Sequence, residues 1–298
     1  MRSPRILVLL AAYNGDRWLD EQIHSILNQC RVDVSLFISI DPGTDNTETL
    51  CREWADRDHR VRVLPSSDSF GCAAKNFYHL LRQVDLTQVD YVSLADQDDL
   101  WEPDKLLCAC KILQQGYSGY SSNVTAFWPD GRRFLIDKAQ PQREFDYLFE
   151  AAGPGCTYVL DRNLASALQQ DITRRRDDVE AIYFHDWFFY AYARSGGYRW
   201  FIDSHSGLLY RQHAHNHTGV HQGFRASVKR LRMIVSHQYR FETLRIAQLC
   251  QDCHPTFSVP FRLRAEDCRR FILIGINGCR RSLRDRIALF ALALLRLF

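Results

Sequence analysis

The 298-residue chain is 46% hydrophobic and nearly charge-balanced, with 38 Lys and Arg against 35 Asp and Glu. That composition excludes a disordered or polycationic protein and allows one large domain or two smaller ones with a sizeable core. Ten cysteines are scattered without the spacing of a disulfide scaffold and without a secretory leader, which points to a reducing, cytoplasmic setting. Cys250-Gln251-Asp252-Cys253-His254 formally matches a haem-attachment pattern, but such attachment belongs to exported proteins.

Residues 6–12 form a continuous apolar run of strand length. Tyr13-Asn14-Gly15-Asp16 breaks it, and Trp18, Leu19, Ile23, Ile26 and Leu27 then recur at helical spacing. A second strand over residues 34–40 ends at Asp41-Pro42-Gly43-Thr44-Asp45, before a helix over about 46–55. A short third strand covers residues 61–64. Phe70-Gly71 and the following residues lead into a helix whose Phe77, Leu80, Leu81 and Val84 share one face. A fourth strand begins at Tyr91 and ends in Asp96-Gln97-Asp98-Asp99, with Pro103 opening another helix.

Strands alternating with helices of this length predict an α/β fold with a mostly parallel central sheet covered on both faces. In such sheets ligands bind beyond the carboxyl ends of the strands. Tyr13, Asp41 and the acids after the fourth strand should therefore converge on one crevice. Three carboxylates within four positions repel one another, so they suit a divalent cation carrying a phosphate. An acidic lead-in to a helix is the simpler alternative. No Gly-rich dinucleotide fingerprint or P-loop follows the first strand, which leaves a metal as the obvious phosphate holder.

The order and spacing of five pieces resemble the nucleotide-binding half of the inverting family 2 glycosyltransferases of GT-A fold, and within them the rhamnosyltransferase branch. The pieces are Ala12-Tyr13-Asn14-Gly15, Ser25-Ile26-Leu27-Asn28-Gln29, residues 41–47, Lys75-Asn76-Phe77, and Asp96-Gln97-Asp98-Asp99-Leu100-Trp101. Gly153-Pro154-Gly155-Cys156-Thr157, His185-Asp186-Trp187, and Tyr210-Arg211-Gln212-His213-Ala214-His215-Asn216 with Gly219 extend the likeness to about residue 219. One departure stands at the second strand, where the family usually has two adjacent acids and this chain has only Asp41.

The resemblance implies displacement at the anomeric carbon of a nucleotide-diphosphate sugar by an acceptor hydroxyl, with inversion. It implies Asp98 as ligand to Mg²⁺ or Mn²⁺, with Asp99 assisting and His213 a further contact to metal or diphosphate. Asp96 and Gln97 would lie near the ribose or metal. Asp41 would meet the base or ribose on a wall shared with Ala11 and Tyr13, and Lys75 would meet the nucleotide. Asp186 is the expected proton acceptor, since a helix start among aromatic rings could raise its pKa. Each role has a structural rival: Asp186 as a helix cap, Asp41 as a turn residue, His213 and Lys75 as surface residues, and Trp101, Trp128 and Trp187 as core rather than sugar-stacking rings.

Residues 223–298 hold fifteen Lys and Arg against five Asp and Glu, leaving 23 against 30 for residues 1–222. The expected division is a catalytic domain over 1–222, with a nucleotide half (1–110) and an acceptor half (111–222), then a basic helical extension over 223–298. Its apolar run at 287–295 falls short of the roughly 20 residues that span a bilayer. It could lie on an anionic membrane surface that carries a lipid-linked acceptor, or pack on the protein or on a second copy. Nucleic acid is a poor match, since no stacking aromatics interleave the basic residues.

The reading carried forward is a metal-dependent transferase moving a sugar, in the resemblance L-rhamnose from a TDP-linked donor, to a glycan or lipid-linked oligosaccharide in surface-polysaccharide (O-antigen) assembly, peripheral on the cytoplasmic face of the inner membrane. A non-catalytic nucleotide-sugar-binding assembly protein is the alternative from another class. A nucleotidyltransferase would need the Gly-rich phosphate loop that is missing.

Overall fold

The structure is a computed structural model and describes residues 2–65, 69–213 and 237–298. Its first strand, β1 (Arg5–Ala12), is apolar from Ile6 onward yet alternates by face. Leu7 and Leu9 enter one core while Ile6, Val8, Leu10 and Ala12 enter the other. A strand buried on both sides must have helices on both sides.

On the side of Ile6 and Val8 lie α1 (Asp16–Leu27), α2 (Thr47–Arg57) and α4 (Lys105–Leu113). On the other lie α3 (Ala73–Gln83), α5 (Arg162–Arg174) and α7 (His185–Ser195), with the short α6 (Arg176–Glu180) against α3 and α5. The remaining strands are β2 (Asp33–Ile40), β3 (Val61–Val63), β4 (Tyr91–Asp96), β5 (Leu100–Trp101), β6 (Gly119–Phe127), β7 (Arg133–Ile136), β8 (Val159–Asp161) and β9 (Trp200–Arg211). Their order is β3-β2-β1-β4-β8-β6-β9-β5, with β7 beside β6.

The sheet is parallel from β3 through β4, as the alternation of strands and helices requires. Beyond β4 it is mixed: β8 runs antiparallel to β4 and β6, β9 parallel to β6, and β5 antiparallel to β9. The two-residue β5 interrupts the expected passage from the acidic cluster straight into a helix, and α4 begins only at Lys105.

Three C-terminal helices, α8 (Gln238–Cys253), α9 (Ala265–Cys279) and α10 (Leu283–Leu294), add Ile246, Cys250, Ile272 and Leu289 to the core built around α3 and α7, and Phe298 beyond them joins it. A buried ion cluster ties them down. Arg281 Nη1 meets Asp146 Oδ2 at 3.0 Å, its Nη2 donates to the Ala151 carbonyl at 2.6 Å, and its backbone N–H donates to Glu150 Oε1 at 2.6 Å. Arg194 takes the other Asp146 oxygen at 3.2 Å, and Arg280 lies 3.5 Å from Glu150. The expected boundary at residues 222 and 223 lies outside the described residues. Among the described residues no helix is long and apolar enough to cross a membrane, and all ten cysteines are free.

Candidate active site

Strand register assembles the crevice. Ala11 pairs with Asp96 on one side and Ser39 on the other, so the ends of β1, β2 and β4 lie side by side. Tyr13, Asp41 and the segment from Asp96 to Asp99 leave the sheet at this edge.

Polar residues on one face of α1 and just past its end hold the acidic segment in place. Gln22 Nε2 donates to the Asp96 carbonyl at 2.7 Å. Ser25 Oγ accepts from the Trp101 N–H at 3.1 Å. Gln29 donates to the Glu102 carbonyl at 2.7 Å and accepts from the Leu106 N–H at 3.0 Å. Spacings of three, four and seven place these side chains on one stripe of a helix. Ser25 and Gln29 belong to the motif matched in sequence, but their task was not assigned there. The available signal was polar residues interrupting a core-facing helical stripe, with Gln22 wholly buried.

Gln97 is spent on the backbone. Its Oε1 accepts from the Tyr13 N–H at 2.6 Å and its Nε2 donates to the Tyr13 carbonyl at 2.7 Å, clamping the loop after β1 to the loop after β4. A Cβ on Gly15 would come within 2.4 Å of this amide and would push it off the Tyr13 backbone. Tyr13 itself presents an exposed ring.

Asp98 faces His213, whose Nε2 lies 2.7 Å from Asp98 Oδ2. The His213 ring stacks on Trp18 with centroids 3.9 Å apart. Arg211, paired with Glu21, donates from Nε to the Asp98 carbonyl at 2.8 Å, so the end of β9 closes over the acidic turn. Residues 214–216 and 219 of the matched late motif lie outside the described residues.

Asp99 turns inward and is fully buried. Its Oδ1 accepts from the Arg211 N–H at 3.3 Å, while its Oδ2 has no hydrogen-bond partner among the described residues. One ligand atom each of Asp96, Asp99 and Cys156 lies within 4.8 Å of the others. Burial, then the charges of Asp98 and Asp96, push the Asp99 carboxyl well above the usual carboxylate range. Burial, then Asp98 and Asp186, raise Asp96 to about 7. Beneath them Lys105 is buried with Nζ 3.4 Å from the Trp101 ring centroid. Burial drives the amine down to about 7, against the pull of Cys156 and Asp99.

Asp186 stands in the first turn of α7. Burial raises its carboxyl to about 6, although the Trp187 N–H, 2.8 Å from Oδ1, and more distantly Lys138 draw it down. Gly155, where a Cβ would lie 3.4 Å from Asp186 Cβ, is followed directly by Cys156, whose sulfur lies within 4.8 Å of Asp96 and Asp99, so Asp186 stands close to the acidic segment. His185 beside it stacks on Phe77 with centroids 4.3 Å apart, and burial depresses its imidazole to about 3, so it is neutral. The close approach at Gly155 serves this ring: a Cβ there would meet His185 Nε2 at 2.6 Å.

Asp41 and Lys75 lie on the other flank. The buried Asp41 carboxylate accepts from Ser69 Oγ and the Phe70 N–H, both at 2.9 Å, and from the Gly71 N–H at 2.8 Å, so it shapes the loop entering α3. Lys75 is half-buried in the first turn of that helix, and Asn76 donates to the Ser39 carbonyl at 3.1 Å. Trp101 and Trp187 are buried in the core, while Trp128 lies partly exposed beneath Arg132.

A parallel nucleotide-type half-sheet, an acidic turn at its edge and a mixed second half define a glycosyltransferase of GT-A fold. A profile described as "Glycosyltransferase like family 2" matches residues 4–127. The chain is 44% identical over 245 residues to the dTDP-rhamnosyl transferase RfbG of Shigella flexneri, covering 82% of this chain and 85% of that one. It belongs to the family 2 glycosyltransferases. Among solved structures, S. aureus TarS 1–349 in complex with UDP-GlcNAc superposes with a TM-score of 0.59 at 13% identity, over 98% of this chain and 80% of that one. The mannosyltransferase PcManGT of Pyrobaculum calidifontis, in complex with GDP-Man and Mn²⁺, gives 0.51 at 14% identity, over 99% and 87%. These two likenesses speak to the fold.

Proposed function

We propose that this enzyme transfers L-rhamnose from a TDP-linked donor, with inversion, to a hydroxyl of a glycan or lipid-linked oligosaccharide in surface-polysaccharide assembly at the cytoplasmic face of the membrane. The observation that carries the chemistry is the gathering of two acidic groups at one end of the sheet: Asp98 with His213 after β4, and Asp186, joined to Asp96 and Asp99 through Gly155 and Cys156. Identity to the Shigella rhamnosyl transferase supports the choice of donor.

The residues fit a divalent ion. A carboxylate and an imidazole already approach to 2.7 Å, and neighbouring acids are raised by burial and then by repulsion among carboxylates, which a cation would relieve. Asp98 and His213 would hold Mg²⁺ or Mn²⁺, which would neutralise the diphosphate leaving group. The mixed oxygen and nitrogen donor set is more congenial to Mn²⁺ than to Mg²⁺.

Asp186 supplies the other half of the reaction. With a pKa of about 6 it is ionised at neutral pH and still basic enough to be useful. It takes the acceptor hydroxyl proton as the new bond to the anomeric carbon forms and the bond to the diphosphate oxygen breaks. Neutral His185 adds no positive charge beside this carboxylate, and the surrounding aromatic rings limit its contact with water.

A panel of nucleotide sugars screened by thermal shift, with and without Mn²⁺, tests the reading. Stabilisation is expected only with donor and metal together and to be largest for TDP-rhamnose. Equal, metal-independent stabilisation by every donor would remove the role given to Asp98 and His213.

A further inference from the structure

The last helix carries two apolar faces where packing onto the protein needs one. Leu289 and Ala293 of α10 point into the core. Leu283, Ile287, Phe290 and Leu294 recur at intervals of four, three and four and point outward, with 64%, 63%, 38% and 62% of their surface exposed. At roughly 100° per residue the four fall within about 60° of arc, a continuous stripe. Exposed Leu295 extends it, and Ile274 on α9 is exposed as well. Single exposed apolar side chains need no explanation, whereas a stripe of four on one helix does.

The charges beside the stripe select what covers it. The same helical arithmetic puts Arg284 on one flank and Arg286 on the other, and exposed Arg296 follows the helix end. Arg286 is steadied by Asn277 at 3.0 Å, while Asp285, the only acid of α10, is half-buried. A second copy docked by two-fold symmetry would bring the flanking arginines of both chains together. An anionic bilayer surface accepts the apolar stripe between its headgroups and pairs with the arginines, whose aliphatic stems can follow the stripe inward.

We propose that the Leu283, Ile287, Phe290 and Leu294 face of α10 is a lipid-binding surface that lies in the headgroup region of an anionic membrane. At twelve residues the helix is too short to cross it. The stripe is also rigidly placed relative to the reaction. Arg281, just before α10, is held by Asp146 and by the Ala151 carbonyl, and the chain from Ala151 runs directly into the Gly155 turn that packs on His185 and Asp186. The purpose, presenting the acceptor side of the crevice to a lipid-linked substrate, rests on the function proposed above. The binding itself does not.

The test is co-sedimentation of the full chain with vesicles, without donor, metal or acceptor. The parent is expected to pellet with vesicles containing about one third phosphatidylglycerol and weakly with pure phosphatidylcholine. Ile287→Glu/Leu294→Glu alters only exposed side chains and should cut binding about tenfold or more, with sugar transfer to a water-soluble acceptor unchanged. Arg284→Glu should weaken binding to the anionic vesicles alone. A parent that ignores anionic vesicles, or a double variant that still binds them fully, overturns the proposal. A double variant that turns a dimeric parent monomeric with vesicle binding intact assigns the face to a second copy and overturns it too. An enzyme that binds vesicles but transfers no sugar would leave this proposal standing and remove the functional one.

Discussion

Two groups of carboxylates are withdrawn from water in this protein, and they are compensated in opposite ways. Asp146 and Glu150 are met by Arg194, Arg280 and Arg281, with hydrogen bonds to both Asp146 oxygens. Asp96 and Asp99 sit beside Asp98, and the nearby Lys105 is itself driven down to about 7 by burial, so the buried carboxyls are raised instead. A paired cluster holds helices in place, whereas an under-compensated one stores a demand for an external cation and for protons. Asp146 and Glu150 are therefore architecture, and the acids at the strand ends are the ones to which the proposed function gives the chemistry.

The contrast is sharpest when one member of each group is removed. Asp186→Asn should lower kcat by about 10³-fold, because it deletes the general base, with donor affinity by calorimetry little changed. A variant turning over at the parent rate would move the base elsewhere. Arg281→Met should do the reverse, costing about 3 kcal/mol of unfolding free energy in urea by stranding Asp146, while leaving the residues of the crevice in place. A loss below about 1 kcal/mol would mean that Arg194 and Arg280 suffice to compensate the cluster.

The pH dependence separates the groups further. Asp186 must be ionised to act, so kcat should climb as pH rises through about 6 and level off above it. Its stability effect has the opposite sign. The folded state binds this proton more tightly than the unfolded chain, so the contribution to stability is present below the unfolded carboxylate pKa and is lost as pH rises toward 6. Asp186→Asn should therefore melt higher than the parent at pH 7.5, and the gap should shrink at pH 4. A melting temperature that falls at both pH values would instead make Asp186 a structural cap.

The smallest expected effect is at the clamp between the loops. Gln97→Leu removes two hydrogen bonds from an exposed backbone, a loss of about 1 kcal/mol by denaturant titration. It should raise KM for the donor more than it lowers kcat. If kcat alone falls, Gln97 touches the reacting groups rather than only the Tyr13 backbone.

Much of this site could be read before the fold was known. The uninterrupted apolar run of β1 required helices on both faces, and the abrupt acids after β4 required a strand end. Asp98, Asp186 and His213 were singled out through the motifs that carry the family resemblance, and the structure pairs Asp98 with His213. The tasks of Gln97 and Asp41 could not be read in this way. Both stand where donor contacts were expected, yet the Gln97 amide is committed to a backbone 84 residues away, and the Asp41 carboxylate to donors 28 to 30 residues away.

The sequence by itself determined the alternation of strands and helices, the sheet edge where β1, β2 and β4 end, and the acids that stand there, because period and strand ends are set by neighbours along the chain. Only the tertiary structure decided which polar atoms remain free for a ligand, that the second half of the sheet is mixed, and that the last helix keeps one apolar face outside. Those outcomes depend on partners far apart in the chain, such as Arg211 and Glu21 at a separation of 190 residues, and no local pattern specifies which distant groups will meet.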